Sequence, residues 1–142
     1  MRTVKDILAG KGHDVITIDK SQSVFEAILL MDKHHIGSLV VTDNGALVGV
    51  VTERDYACKV ALKGRGSQNT LIGEIMSDKV IVAKLETTLN ECMALMTDKR
   101  LRHLPIMEGG DLVGLVSIGD VVKEVIEEQN FVIGQLESYI HS

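Results

Sequence analysis

Two short motifs carry side chains that could do chemistry: Thr52-Glu53-Arg54-Asp55 and Ser117-Ile118-Gly119-Asp120, each a hydroxyl followed three residues later by a carboxylate. Each follows an apolar run, LVGVV or LVGLV, which places it where a strand turns into a helix. At a helix's first turn, unpaired backbone N–H groups and the positive dipole end favour anions and acceptors. A carboxylate there offers two oxygens to vicinal hydroxyls such as the 2′,3′-diol of a ribose. Each charge-assisted bond contributes roughly 1.5 to 3 kcal/mol. The same boxes also serve as helix N-caps, worth about 1 kcal/mol each. Basic groups suited to phosphate are Arg102 and His103, just before Leu104-Pro105, and Arg54 inside the first box.

Other reactive side chains lack a constellation. His34 and His35 are neighbours at a helix end and point in different directions, as dipole partners or surface groups do, and His13 and His141 stand alone. Cys58 and Cys92 are far apart in sequence and read as reduced thiols. Gly10-Lys11-Gly12 lacks the spacing of a phosphate-binding P-loop. The methionines Met31, Met93 and Met96 fall at helical spacing and read as core filler.

The elements that must position the two boxes occur twice. Shifted by 65 positions, residues 23–55 lie on 88–120 without a gap, and ten pairs are identical, among them Glu26/Glu91, Met31/Met96, Gly49/Gly114 and Asp55/Asp120. Upstream, VITI (15–18) falls on VIVA (80–83), and VKDIL (4–8) matches IGEIM (72–76) after a three-residue slip. Each copy reads as a short strand, then an S/T-x-x-E capping box (Ser23–Glu26, Thr88–Glu91) opening an amphipathic helix to about Lys33 or Lys99. A strand (38–42, 103–107), a Gly-containing tight turn and the apolar run then form a hairpin that enters a second helix. The unit is β-α-β-β-α. The apolar runs predict strands covered on both faces, partly by the other copy. Pro105 predicts an edge or strand-start position.

At 142 residues the chain is long enough to bury roughly 68 to 70% of its unfolded surface. With 45% hydrophobic and 25% charged residues it is no disordered segment. A net charge of −5 argues against a general nucleic-acid binder. No apolar run approaches the roughly 18 residues of a membrane span, so neither nucleic acid nor membrane is expected as a partner, and a cytoplasmic location is expected.

The doubled pattern, with GVVTERD and GLVSIGD closing the hairpins and RHLPI in the second copy, resembles the cystathionine-β-synthase (CBS) domain, a pair of which is called a Bateman module. The resemblance covers nearly the whole chain. It implies an α+β fold with two repeats packed sheet to sheet about a pseudo-twofold axis, enclosing two clefts for adenosine compounds: AMP, ADP, ATP, NAD(H) or S-adenosylmethionine. The expected divisions are 1–66 for the first repeat, 67–129 for the second, and 130–142 for a C-terminal helical extension, all one intertwined module. In this reading Asp55 and Asp120, with Thr52 and Ser117, hold ribose. Adenine lies near Thr17 and Ile18 or Val82 and Ala83, and Arg54, Arg102 and His103 meet phosphate. Ile36, Gly37, Ser38, Pro105 and Ile118 complete the lining. Gly37 and Ser38 stand in the first copy where Arg102 and His103 stand in the second, so the two sites are expected to differ. The implied function is a non-enzymatic sensor without a catalytic cofactor or metal, acting as a homodimer or through a regulated protein. The alternatives are a ligand-free dimerisation module and a small nucleotide-acting enzyme, for which His103 is the one candidate group.

Overall fold

The computed structural model describes residues 1–141; Ser142, the last residue of the expected extension, lies outside the described residues. In chain order the elements are α1 (Val4–Lys11), β1 (Thr17–Asp19), α2 (Val24–His34), β2 (Ser38–Asp43), β3 (Ala46–Thr52), α3 (Glu53–Tyr56), α4 (Leu89–Lys99), β4 (His103–Glu108), β5 (Asp111–Ser117) and α5 (Ile118–His141). This is a mixed α+β fold of two β-α-β-β-α repeats ending in a helix. The capping residues act as their types predict. Ser23 accepts from the Glu26 N–H and Thr88 from that of Glu91, opening α2 and α4. Both helices close on a left-handed residue, His35 or Arg100, with the next N–H reaching back to Met31 or Met96. The hairpin turns carry positive φ at both central residues, Asn44-Gly45 and Gly109-Gly110, the conformation whose twist suits two-residue hairpins.

The chain divides into two compact units that do not follow repeat order: Val15–Val80 form one, and Met1–Asp14 join the residues from Ile81 onward in the other. In the first unit β1 pairs parallel with β2, and β2 antiparallel with β3. Its core holds Ile18, Val24, Met31, Leu39, Val41, Val51, Ile72 and Ile75. In the second unit β4 and β5 pair antiparallel, and α1, α4 and α5 contribute Leu8, Cys92, Met96 and Val121 to a core with Leu104, Ile106 and Val116.

Cover for the hairpins comes from the leading segment of the opposite copy. Val50 exchanges both backbone bonds with Ser77, so Met76 lies across Gly49; a Cβ there would stand 2.7 Å from the Met76 sulfur and 2.8 Å from the Ser77 carbonyl oxygen. Leu8 of α1 lies across Gly114 in the same way, 2.7 Å from where a Cβ would be. At Gly49 the backbone oxygen leaves no room for a Cβ, whereas at Gly114 the end of the flexible Leu8 side chain would have to shift. The expectation of full burial on both faces was too strong, because Leu47, Val48 and Val50 of β3 remain half-buried.

Three other local expectations change. The VIVA strand shrinks to one bridge, Ala83 with Ile106. Pro105, at the position of Val40, has no N–H and so cannot support the pairing that Thr17 makes with Val40 in the first copy. Pro105 itself is buried inside β4, which as one of two strands in its sheet is an edge strand, in line with the edge position expected of it. The first copy's second helix is short, and α3 passes into one π-helical turn, Ala57–Ala61, that buries Val60. The C-terminal extension is no separate helix; α5 runs through it unbroken.

Substituting Gly49 or Gly114 by Ala overpacks these approaches and is expected to cost about 1 to 3 kcal/mol in thermal or urea unfolding. Gly10→Ala, inside α1 with nothing near its Cβ position, is expected to stabilise by up to about 1 kcal/mol. Unchanged stability in Gly49→Ala would refute the close-approach account.

Candidate functional site

Each box closes on itself before it meets any ligand. In the first, the Asp55 N–H donates to Thr52 Oγ1 (3.1 Å), while Asp55 Oδ2 accepts from the Thr52 N–H (2.9 Å) and hydroxyl (3.2 Å). In the second, the Asp120 N–H donates to Ser117 Oγ (3.0 Å) and Asp120 Oδ2 accepts from the Ser117 N–H (2.8 Å). The capping chemistry therefore operates in both copies. It leaves acceptor capacity, since each carboxylate oxygen has two lone pairs.

Each aspartate also faces a lysine. Lys59 Nζ lies 3.0 Å from Asp55 Oδ1 and donates to the Ile75 carbonyl (2.9 Å). Lys11 Nζ lies 2.6 Å from Asp120 Oδ2 and donates to the Leu115 carbonyl (3.0 Å). The aspartate side chains are sheltered but reachable, 15% exposed for Asp55 and 25% for Asp120. Sequence reading missed both lysines. The i,i+4 spacing of Asp55 and Lys59 was a visible signal for one. Lys11 had none, because α1 meets β5 only in the folded unit.

The remaining residues group by unit. Ser38 pairs with Thr52, and the Glu53 N–H donates to the Gly37 carbonyl, which brings Ile36, Gly37 and Ser38 beside the first box. Thr17 pairs with Val40, two positions along β2 from Ser38. Lys20 donates to the Thr42 carbonyl, so by the two-residue period of a strand Ile18 also turns its backbone to β2 while Thr17 turns away. In the other unit His103 pairs with Ser117, and the Ile118 N–H donates to the Arg102 carbonyl. Ala83 spends both backbone groups on Pro105 and Met107, leaving Val82, the counterpart of Thr17, facing outward. Thr17 and Val82 thus carry outward strand backbone in their units, whereas Ile18 and Ala83 do not. Val82 and Ala83 line a hollow with Lys84, Thr87, Glu91 and Leu95 that does not take in Asp120. Arg54 and Arg102 are exposed.

Electrostatics tie the second box together. Burial raises the Asp120 carboxyl, but the bonds from Lys11 and from the Ser117 N–H and hydroxyl outweigh it, holding the group below the ordinary 3.8. Burial lowers His103 below 6.5, and the charges of Lys11 and Arg102 lower it further against the opposing pull of Asp120. Buried Cys92 is pushed up to about 11, chiefly by desolvation, and behaves as an inert core thiol.

The signs of these shifts set two pH windows. Between its folded midpoint and 6.5, His103 binds protons more readily in the unfolded chain, so its favourable neutral form is lost as pH falls through that range. The Asp120 contribution is complete above 3.8 and disappears as pH falls through its lower folded value. An NMR titration is expected to place the His103 midpoint below 6.5 and to move it upward in Lys11→Met. A midpoint indifferent to that substitution would break the electrostatic link.

Comparison with known proteins gives a consistent result. The CBS domain family model matches residues 4–60 and again 72–127. The CBS domain-containing protein CBSX3, mitochondrial, of Arabidopsis thaliana is 37% identical over 97% of this chain and 71% of its own length. The crystal structure of the CBS-domain containing protein ATU1752 from Agrobacterium tumefaciens is similar at 41% identity and TM-score 0.80, covering 86% of this chain and 98% of that one. The CBS domain pair of protein MJ0100, in complex with 5′-methylthioadenosine and S-adenosyl-L-methionine, is similar at 28% identity and TM-score 0.76, covering 90% of this chain and 98% of that one. With its sequence read twice by one model and its fold shared with these structures, the chain belongs to the CBS domain family, carrying two such domains in tandem.

Proposed function

We propose that this protein is a non-enzymatic sensor that binds an adenosine nucleotide, AMP, ADP, ATP or NAD(H), through the aspartates of its two boxes, and relays occupancy to a second copy of itself or to a regulated protein. The observation that carries the reading is the box itself. In both copies a sheltered carboxylate at a strand-to-helix turn keeps acceptor capacity for a sugar diol. Thr17 and Val82 offer outward strand backbone to a base, as adenine requires. The MJ0100 pair, crystallised with two adenosine compounds, supports the ligand class. Arg102 and His103 give the second copy a phosphate-binding pair that Gly37 and Ser38 do not give the first, so the copies differ in affinity. A tenfold preference for one arrangement moves an equilibrium by about 1.4 kcal/mol, which makes the sensor a modest switch.

The second copy of the chain is drawn from α5. Ile126, Ile133 and Ile140 recur every seven residues with Leu136 between the last two, and all four are more than half exposed. A seam of Ile and Leu at this spacing suits a matching helix.

Calorimetry with AMP is expected to show binding weakened about 10- to 100-fold by Asp120→Asn or Asp55→Asn, unequally between the two. Arg102→Ala is expected to cost AMP far more than adenosine. Equal, negligible effects of both aspartate changes contradict the proposed site, and product formation abolished by His103→Ala points instead to an enzyme. Light scattering is expected to give a dimer that Ile133→Lys converts to monomer; a monomeric wild type removes the self-association.

A further inference from the structure

We propose that Lys11 sets the charge preference of the second-copy site, selecting adenosine compounds that carry a negative charge over neutral or cationic ones. The inference rests on the reading of Asp120 as the acceptor of a sugar diol and deepens it.

Asp120 Oδ2 already receives the Ser117 N–H at 2.8 Å and Lys11 Nζ at 2.6 Å. A diol must therefore share the carboxylate with the ammonium or displace it. Lys11 ends α1, and beyond that pair its ammonium has the Leu115 carbonyl at 3.0 Å, a dipole without net charge. A neutral nucleoside that takes the carboxylate leaves the ammonium of Lys11, an exposed side chain, without its counter-charge and close to His103 and Arg102. A phosphate supplies that charge, and the four-carbon stem lets Lys11 turn to it. A sulfonium adds positive charge and is disfavoured.

The first copy supports a dedicated role for the ammonium. Lys59 pairs with Asp55 through the other carboxylate oxygen, Oδ1, and likewise ties the aspartate to a backbone carbonyl, that of Ile75. At the repeat offset the counterpart of Lys59 is Glu124, which pairs with Arg2 instead. The second copy therefore obtains its cation from α1, a different segment. Two unrelated lysines meeting equivalent carboxylates mark the pair as a built part of each site.

Calorimetry tests this with AMP, 5′-methylthioadenosine and S-adenosylmethionine on wild type, Lys11→Met, Lys11→Gln and Lys11→Arg, read on the binding event that Asp120→Asn weakens. Wild type is expected to prefer AMP. Lys11→Met and Lys11→Gln are each expected to shrink the AMP to methylthioadenosine affinity ratio about tenfold or more, with methylthioadenosine unchanged or tighter, while Lys11→Arg keeps the ratio. Equal loss of both ligands in the variants overturns the role of Lys11 and leaves the site reading intact. Failure of wild type to bind any of the three overturns the site reading and this inference together. Thermal unfolding establishes that the variants fold, and Lys11→Gln carries the test if Lys11→Met does not.

Discussion

Close approach at two missing Cβ atoms organises both compact units. Met76 and the Ser77 carbonyl lie over Gly49, and Leu8 lies over Gly114, each closer than a Cβ contact allows without a shift. Each contact brings the leading segment of one copy onto the hairpin of the other. A methyl group at Gly49 would push against the Ser77 backbone and so against the segment that brings Ile72 and Ile75, while one at Gly114 would displace the Leu8 side chain that packs with Val4 and Ile7. The same docking delivers the polar partners. It sets the Ile75 carbonyl against Lys59 in one unit and brings Lys11 to Asp120 in the other. Packing and electrostatics at each box thus share one cause.

Capping and ligand binding are compatible uses of the same atoms. One carboxylate oxygen of each aspartate closes the helix start, which fixes the side chain's rotamer and orientation. A carboxylate held this way enters a complex with little conformational entropy left to lose. In the second box Lys11 stabilises the charged form of Asp120. In the proposed reading a cap of ordinary strength doubles as a recognition element beside a neighbouring ammonium.

The two copies diverge where their sequences do, and the consequences are physical. Pro105 removes one donor and reduces a strand to a bridge. Gly37 and Ser38 in place of Arg102 and His103 withhold the guanidinium charge and an imidazole. Helix α5 continues for six turns where α3 passes into a π-helical turn and stops, so the second copy alone carries a long helix with an exposed apolar stripe.

Much of this was legible in the sequence because it is written in local chemistry. The duplication, the S/T-x-x-E and T/S-x-x-D boxes, the Gly-bearing turns and the period-two runs state backbone preferences that neighbouring residues satisfy among themselves, and the hairpins and helices fall where those signals lie. Pro105 was legible as an edge residue, because a missing N–H is tolerated where a strand has a partner strand on one side only. Tertiary structure alone decided which leading segment covers which hairpin, because a short apolar run such as VKDIL or IGEIM matches either sheet equally well in pattern. It also decided the partners of the box aspartates. Lys59 could be inferred from helical spacing, but Lys11 is 109 residues from Asp120, and no local rule connects them; the ion pair forms because the packing of α1, with Leu8 over Gly114, carries Lys11 there.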